Sequence, residues 1–212
     1  EQSMNTDGSN FTNLTSHTQI NAGADKDPDV SNDGRWLTFS STRGSPTNDI
    51  YMNELGTHRV TQLTMDPAED IHPKMAPDGR SIAFSSNRHD CKFDIYVLPL
   101  FDRNGKRIHA TPIQITSNDR DNIHPSWSPD GNRLVYSSYN RQAESWEMWV
   151  YDHSERSQTM IGYGLLPEWV LEGGKEKILS VLTDKTRRSI VLETLQGLTL
   201  HYDDIVVADA QK

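Results

Sequence analysis

The chain has 212 residues, of which 34% are hydrophobic and 24% charged, and it carries a formal net charge of −9 with a pI near 5.3. Its apolar residues come in short stretches, none near the ~20 residues of a membrane-spanning helix, so we expect a soluble protein with no membrane span. The negative charge would repel nucleic-acid phosphates, which excludes nucleic acid as the expected partner and favours a protein. A single cysteine, Cys91, excludes an internal disulfide framework and a multi-cysteine metal site.

Residues 1–15 contain the first predicted element, a turn followed by the strand-like stretch Phe11-Thr-Asn-Leu-Thr15. A longer pattern then recurs: a proline, a hydrophobic residue two positions later, Asp-Gly, and an aromatic-Ser-Ser run eleven residues after the proline. The copies start 45 and 52 residues apart, a period typical of repeat architectures with four strands in each unit. They read Pro28-Asp-Val30-Ser-Asn-Asp33-Gly34 with Phe39-Ser-Ser41, Pro73-Lys-Met75-Ala-Pro-Asp78-Gly79 with Phe84-Ser-Ser86, and Pro125-Ser-Trp127-Ser-Pro-Asp130-Gly131 with Tyr136-Ser-Ser138.

Each unit is predicted to contain four strands, A to D. Asp-Gly between two apolar runs favours a type I′ turn between strands A and B, because glycine adopts positive φ without strain. Strand B, for example Ser81-Ile-Ala-Phe84, and strand C, for example Asp94-Ile-Tyr-Val97, are rich in β-branched and aromatic residues, which favour half-buried strands. Strand D ends in an apolar-Thr pair in the first two units and is less distinct in the third, where it reads Gln158-Thr-Met-Ile161. The three units cover about residues 24–64, 65–116 and 117–162.

A fourth, degenerate unit occupies about residues 163–196. It keeps Pro167-Glu-Trp169, has Glu172-Gly173-Gly174 in place of Asp-Gly, and continues into strands B and C. It lacks a clear strand D of the Leu-Thr type. Two segments compete to supply that strand: residues 1–15, which would close a ring and leave no sheet edge open, and Gly197 to Ala208.

These repeats resemble the TolB-type, WD40-like β-propeller family, whose unit reads roughly Pro-x-Trp-Ser-Pro-Asp-Gly, Phe-x-Ser-x-Arg, Asp-Ile-Tyr and Leu-Thr. The resemblance covers about residues 11–195, although the third unit has Asn140 in place of the arginine and Glu147 in place of the aspartate. It implies an all-β fold, a single β-propeller domain over residues 1–212 with four-stranded blades, either a closed four-blade ring or part of a larger propeller. It also implies a periplasmic or otherwise extracytoplasmic location.

Carboxylates and histidines lie just ahead of the repeated prolines. In a propeller the innermost strand borders the central channel, so we expect these side chains to converge on one channel mouth. Oxygen ligands suit calcium or magnesium, and histidine adds affinity for zinc, manganese or iron, so a divalent cation in the channel is one hypothesis. The alternative is that these side chains bind loop amides and order the entry into strand A. The candidate ligands are Asp27, Asp70, His72, Asp121 and His124.

The connection between strands C and D of the second unit is longer than its counterpart in the first. Residues 101–109 hold Arg103, Lys106 and Arg107, whereas the first unit has only Gly56-Thr-His58. Loops accept insertions at low cost and often carry function. We therefore expect the three cations to bind an acidic surface of a partner protein; a solvated insertion with no partner is the alternative.

Two further patterns bear on structure and activity. Arg43 with Asp49, and Arg88 with Asp94, share a spacing of six residues and are predicted to pair across the turn between strands B and C. The chain has no Gly-x-Ser-x-Gly elbow, phosphate-binding glycine loop, His-Glu-x-x-His or Cys-x-x-Cys-His motif.

The sequence therefore favours a non-catalytic propeller that binds proteins or acts as a scaffold, an accessory subunit of an extracytoplasmic assembly with no bound cofactor. Two rival hypotheses stay open. One is a metal-dependent lyase or hydrolase that uses histidines and carboxylates at the channel mouth. The other is a fragment of a larger propeller protein. The partner and the oligomeric state are not specified by the sequence, because a fold alone does not give a function.

Overall fold

The computed structural model describes residues 2–7, 9–10, 12–15, 23–183, 188–196 and 199–204, with side chains described between residues 3 and 181. In these ranges the regular structure consists of β-strands, arranged as one two-stranded hairpin and four antiparallel four-stranded sheets. The hairpin pairs β1 (Gln2–Ser3) with β2 (Thr12–Asn13). Within the described ranges there is no helix of the length and apolar character needed to cross a membrane.

Each large sheet is formed by four strands that follow one another along the chain. The first contains β3 (Asp25–Val30), β4 (Trp36–Ser41), β5 (Asp49–Glu54) and β6 (Arg59–Gln62). The second contains β7 (Asp70–Met75), β8 (Ser81–Ser86), β9 (Asp94–Pro99) and β10 (Ile113–Gln114). The third contains β11 (Asn122–Trp127), β12 (Arg133–Asn140), β13 (Ser145–Asp152) and β14 (Ser157–Tyr163). The fourth contains β15 (Leu165–Glu172), β16 (Lys175–Thr183), β17 (Arg188–Gln196) and β18 (Thr199–Asp204).

These sheets are the blades of a propeller, numbered one to four along the chain, and the all-β prediction is confirmed. The first strands of successive blades pack on one another in order, β3 on β7, β7 on β11, and β11 on β15. Among the described residues the four blades do not close into a ring. The first strand of each blade therefore lines a central wall, and the fourth strand lies at the outer edge.

The repeated Asp-Gly pairs form the turns between the first two strands, but not as type I′ turns. Only the glycine has positive φ, at 69° in Gly34 and Gly79 and 70° in Gly131. The aspartate instead binds the turn with its side chain: Asp33 Oδ1 accepts hydrogen bonds from Ser31 Oγ (2.6 Å) and Arg35 N (3.0 Å). The turn spans four residues, closed by backbone hydrogen bonds from Ser31 N to Trp36 O (2.9 Å) and from Gly34 N to Ser31 O (2.8 Å), and the short carboxylate adds local hydrogen bonds to these.

The hydrophobic core lies between blades. Ile50 and Met52 of β5 pack with Ile82, Phe84 and neighbouring buried residues of blade two. Two similar clusters join blade two to blade three and blade three to blade four. The middle strands of blades one and two are buried at almost every position rather than alternately, and their buried residues include the polar Ser40, Ser41, Ser85 and Ser86.

The outer strand of blade four comes from the C-terminal candidate. β18 pairs with β17, whereas β2 pairs with β1. Leu14 packs on blade one, against Leu37, Phe39 and Tyr51. Of the two segments that the sequence left open, residues 1–15 and Gly197 to Ala208, the second therefore contains the strand that pairs in blade four. Pairing two strands joined by a short turn costs less chain entropy than recruiting a strand from the distant terminus.

The two repeated arginines bind carboxylates on the first strand of their own blade, which corrects the predicted pairs with Asp49 and Asp94. Arg43 Nη2 lies 2.6 Å from Asp25 Oδ2, and Arg88 Nη2 lies 2.8 Å from Asp70 Oδ2. Asp49 and Asp94 are instead bound by side chains of the outer strands and the segments that follow them, such as Gln62 Nε2 at 3.0 Å from Asp49. Each arginine thus joins the first strand of its blade to the turn that follows the second.

Candidate functional site

In every blade the residue before the repeated proline has an unusual backbone conformation. Its φ lies between 54° and 57°, and the pairing of the first two strands shifts register at this point. Such a conformation costs a non-glycine residue ~1–3 kcal/mol, so the surrounding packing must hold it. The bulge brings four side chains to equivalent positions of the first strands. They belong to Asp27, His72, His124 and Leu166.

Three of the predicted metal-binding residues meet at these bulges. The rings of His72 and His124 are 3.7 Å apart between centroids, with an angle of 35° between their planes. Asp27 lies beside them, and its Oδ2 accepts hydrogen bonds from Ser40 Oγ (2.9 Å) and from the backbone N of His72 (3.4 Å). The Oγ of Ser85 is 3.5 Å from His72 Nδ1. Blades one, two and three therefore each place one polar side chain at this point.

Burial keeps both imidazoles neutral. It lowers the pKa of His124 to about 3, and the adjacent ring of His72 adds to the effect because two imidazolium charges would repel. Burial also lowers the pKa of His72, although the carboxylate of Asp27 opposes this shift. At neutral pH the pair therefore holds no positive charge, and its nitrogen lone pairs remain potential acceptors or metal ligands.

The other two predicted ligands lie elsewhere, so the expected ring of five residues does not form. Asp70 is fully buried and bound to Arg88. Asp121 accepts hydrogen bonds from Phe93 N (3.2 Å) and Arg141 Nη2 (3.1 Å). Both residues precede the bulge, at or before the start of the first strand, so the bulge does not turn them towards the histidines. Among the described residues, no group of three or more His, Cys, Asp or Glu is arranged to hold a metal ion.

A second set of polar residues, which the sequence analysis missed, follows the repeated prolines. Lys74 Nζ bridges two carboxylates: it lies 3.5 Å from Asp29 Oδ1 of blade one and forms a shorter ion pair with Glu168 Oε1 of blade four. Ser126 Oγ of blade three donates to Glu168 Oε2 at 2.9 Å. Each blade therefore contributes one polar side chain to a network across the central wall. The signal was present in the sequence, because the residue after each proline is polar in all four units.

The charges of this network compensate one another. Burial opposes the positive charge of Lys74, but the ion pairs with Glu168 and Asp29 outweigh it and raise the pKa of the ammonium group. Burial raises the pKa of Asp29, while the hydrogen bond from Met75 N and the charge of Lys74 act against the shift. The network borders a cavity of about 260 Å³ that is also lined by Trp127 and Trp169. These ionisable groups are thus already bound to one another, and they hold blades together.

The basic loop of blade two, residues 100–112 between β9 and β10, separates the three predicted docking cations. Asp102 closes its tip, since its Oδ1 accepts from Lys106 N and its backbone N donates to Lys106 O, both at 2.9 Å. Arg103 and Lys106 are exposed at this tip. Arg107 turns back and is partly buried, with its guanidinium 5.9 Å from the ring centre of Phe101. Two cations therefore project outwards, and the third points into a cleft.

Comparison with known proteins agrees with this architecture. A family model described as the TolB beta propeller domain matches residues 22–169, which confirms the resemblance. Among solved structures, TolB from Acinetobacter baumannii matches with a TM-score of 0.67 at 18% identity, over 91% of this chain and 45% of that one. A putative TolB from Agrobacterium tumefaciens matches with a TM-score of 0.66 at 20% identity, over 85% of this chain and 61% of that one. An oligogalacturonate lyase in complex with manganese has a TM-score of 0.67 at 14% identity, over 92% and 57%.

These structural similarities establish the fold, since all three identities are low. The chain spans 45% and 61% of the two TolB structures. No curated protein sequence matches it significantly.

Proposed function

Because this chain belongs to the TolB β-propeller domain family, we propose that it is a non-catalytic protein-binding propeller and an accessory subunit of an extracytoplasmic assembly. The observation that carries this proposal is the basic loop of blade two. It extends over residues 100–112, whereas the equivalent connections of blades one and three are limited to residues 55–58 and 153–156. Its exposed side chains Arg103 and Lys106 are positively charged in a chain whose net charge is −9. They would therefore bind an acidic surface.

The central wall supports a binding role more than a catalytic one. Catalysis needs a group that can exchange a proton or attack a substrate, with a pKa suited to that task. Lys74, Asp29 and Glu168 are instead paired across blades. In this proposal their contribution is to the rigidity of the scaffold, and the loops carry the recognition.

The proposal is tested by reversing the exposed cations of the loop. The variant Arg103→Glu, Lys106→Glu should retain roughly a tenth of the partner captured by the wild-type protein, because like charges then face each other across the interface. Capture from the source organism at physiological salt, with quantitative mass spectrometry, measures this. Because salt screens exposed charges over a Debye length of ~8 Å at physiological ionic strength and ~3 Å at 1 M, the difference between the variant and the wild type should shrink as salt is raised.

The matched control is Lys26→Glu, Lys175→Glu, which changes the net charge equally at exposed residues of β3 and β16. Both variants should keep the β-sheet circular dichroism spectrum. Equal capture by the two variants, or undiminished capture by the loop variant, would contradict a docking role for the loop.

A metal-dependent lyase or hydrolase is the second candidate, and the contact between His72 and His124 beside Asp27 favours it. If the pair binds manganese, zinc or calcium, an ion at a hundred times its Kd should raise the stability of the native state by ~2.7 kcal/mol. The increase in melting temperature should vanish in the His72→Gln, His124→Gln variant and persist in His89→Gln, which changes an exposed histidine. The absence of any shift in the wild-type protein would refute the metal hypothesis.

A further inference from the structure

A cleft separates the outer strand of blade one from the basic loop of blade two. It has a volume of about 450 Å³ and lies between β6 on one side and the end of β9 with the returning loop on the other. The loop creates it: the chain leaves β9 at Pro99, makes the turn closed by Asp102, and returns with a hydrogen bond from Ile108 N to Leu100 O (2.9 Å). The loop therefore forms one wall of the cleft as well as an exposed tip.

The floor of this cleft is apolar. Leu98 and Leu100 are buried in the core shared by the two blades, and Leu63 and Trp36 pack against them. The ring of Trp36 also contacts Phe101, with centroids 5.9 Å apart. Such a floor can bury an apolar side chain of a ligand at ~25 cal/mol per Å² of surface removed from water.

Two arginines line the cleft beside this floor and form no ion pair with a carboxylate among the described residues. Arg59, the first residue of β6, and Arg107 both line the cleft, and neither has an ion pair within 4.0 Å among the described residues. Burial lowers the pKa of Arg107, and the nearby charge of Arg59 adds to this shift. The carboxylate that also lines the cleft, Glu54, faces Arg35 at 3.8 Å and accepts a hydrogen bond from Thr57 Oγ1 at 2.8 Å.

Four other partly or fully buried arginines of the blades each bind a carboxylate within the molecule; they are Arg43, Arg88, Arg120 and Arg133. Arg59 and Arg107 differ from these four, because their neighbouring guanidinium groups lie at an apolar cleft with no ion pair among the described residues. A ligand carboxylate between them would relieve their repulsion and accept charge-assisted hydrogen bonds.

We propose that this cleft binds an extended acidic segment of the partner protein, with carboxylates on Arg59 and Arg107 and an apolar side chain on Trp36. The inference rests on the proposed protein-binding function and specifies the chemistry of the partner. The apolar floor favours a peptide over a small anion, because an inorganic anion would leave Trp36, Leu63 and Leu98 without a contact. The two guanidiniums favour acidic over neutral segments.

The test uses synthetic probes, so that it does not depend on finding the natural partner. Isotope-labelled protein is titrated with a capped octapeptide of alternating Asp and Leu, and the indole N–H signal of Trp36, assigned with Trp36→Phe, is followed by NMR. Octapeptides of alternating Lys and Leu, and of alternating Asp and Ser, test the charge and the apolar contribution. Inorganic phosphate at the same concentration tests for a small-anion site.

The Asp-Leu peptide should shift the Trp36 signal, and Arg59→Glu, Arg107→Glu should weaken its binding roughly tenfold or more. The control Lys26→Glu, Lys175→Glu should not weaken it. The dispersion of the NMR spectrum reveals whether the charge reversal disturbs folding. If it does, the milder Arg59→Gln, Arg107→Gln is used instead, and it should give an intermediate loss of affinity for the Asp-Leu peptide. No shift with the Asp-Leu peptide would overturn the proposal, as would equal shifts with phosphate or with the Lys-Leu peptide.

This outcome is separable from that of the proposed function. If the cleft binds the Asp-Leu peptide but no protein is captured from the source organism, the proposed assembly is wrong and the cleft chemistry stands. If a protein is captured equally by wild type and by Arg59→Glu, Arg107→Glu while the peptide fails to bind, the assembly stands and the cleft inference is overturned.

Discussion

At the scale of single residues, the contact between His72 and His124 makes the fold sensitive to acid. Both rings are neutral in the native state because burial lowers their pKa, to about 3 for His124. An unfolded histidine takes up its proton near pH 6.5. The unfolded state therefore binds more protons below that pH, and the stability provided by neutral histidines is lost as the pH falls from ~6.5 towards 3.

We expect the free energy of unfolding to fall by up to ~1.4 kcal/mol for each pH unit and each histidine in this window, and less in His72→Gln, His124→Gln. Urea unfolding at pH 7 and pH 5 measures the difference. Asp49, whose pKa burial and the charge of Asp70 raise to about 6, acts in the opposite sense but is present in both proteins. His89→Gln is the control. Equal pH dependence of the wild-type and the double variant would show that the pair is not the origin of acid sensitivity.

At the scale of elements, the N-terminal segment packs on blade one instead of completing blade four. Leu14 contacts the cluster of Leu37, Phe39 and Tyr51, and its carbonyl oxygen accepts a hydrogen bond from Asn53 Nδ2 at 3.0 Å. It thus covers the side of blade one that faces away from blade two. Among the described residues no other blade packs on that side, so blade one depends on this segment for part of its burial.

Leu14→Ala should therefore lower the free energy of unfolding by about 1–2 kcal/mol, less than the 2–5 kcal/mol of a fully buried leucine because the side chain is only partly buried. Met4→Ala is the matched control, since Met4 is 65% exposed on the same segment. Chemical denaturation of the two variants measures the difference. An unchanged midpoint for Leu14→Ala would contradict the packing role of the segment.

The basic loop of blade two carries both proposed binding surfaces, the exposed tip and one wall of the cleft. Its tip exposes Arg103 and Lys106, and its return forms a wall of the cleft with Arg107. The tip is closed by its own backbone and by Asp102, and the base of the loop is held by Phe101, which packs on Trp36 of blade one. This is consistent with an insertion that adds a binding surface to a blade without altering the strands.

At the scale of the whole molecule, polar bonds between first strands accompany the hydrophobic packing between blades. Lys74 joins blades one, two and four through Asp29 and Glu168, and Trp127 Nε1 donates to the carbonyl oxygen of Lys74 at 3.1 Å to join blade three. The cores between blades are contributed by middle strands, whereas these bonds lie on the central wall. The blades are thus joined both on the central wall and through the cores farther from it, and the proposed recognition surfaces lie outside both sets of contacts.

Much of this architecture follows from residues that are close together in the sequence. The strands, the four units and the Asp-Gly turns depend on residues within a few positions of one another, so composition and spacing suffice to predict them. The candidate ligands just before the prolines could be identified for the same reason, because the position recurs in the first three units. The sequence could not show that Asp70 and Asp121 separate from His72, because that depends on which residue of the first strand is displaced by the bulge.

The sequence by itself determined repeated four-stranded units and a basic loop in an acidic chain, since hydrophobic patterning, turn residues and charge are properties of short segments, and its resemblance to a known family implied the propeller. Only the tertiary structure decided that Lys74 reaches Glu168, that Arg59 faces Arg107, and that β18 completes blade four. These contacts join residues up to 94 positions apart. They depend on how each blade is rotated against the next, and that rotation is set by packing across whole sheets, which no local pattern encodes.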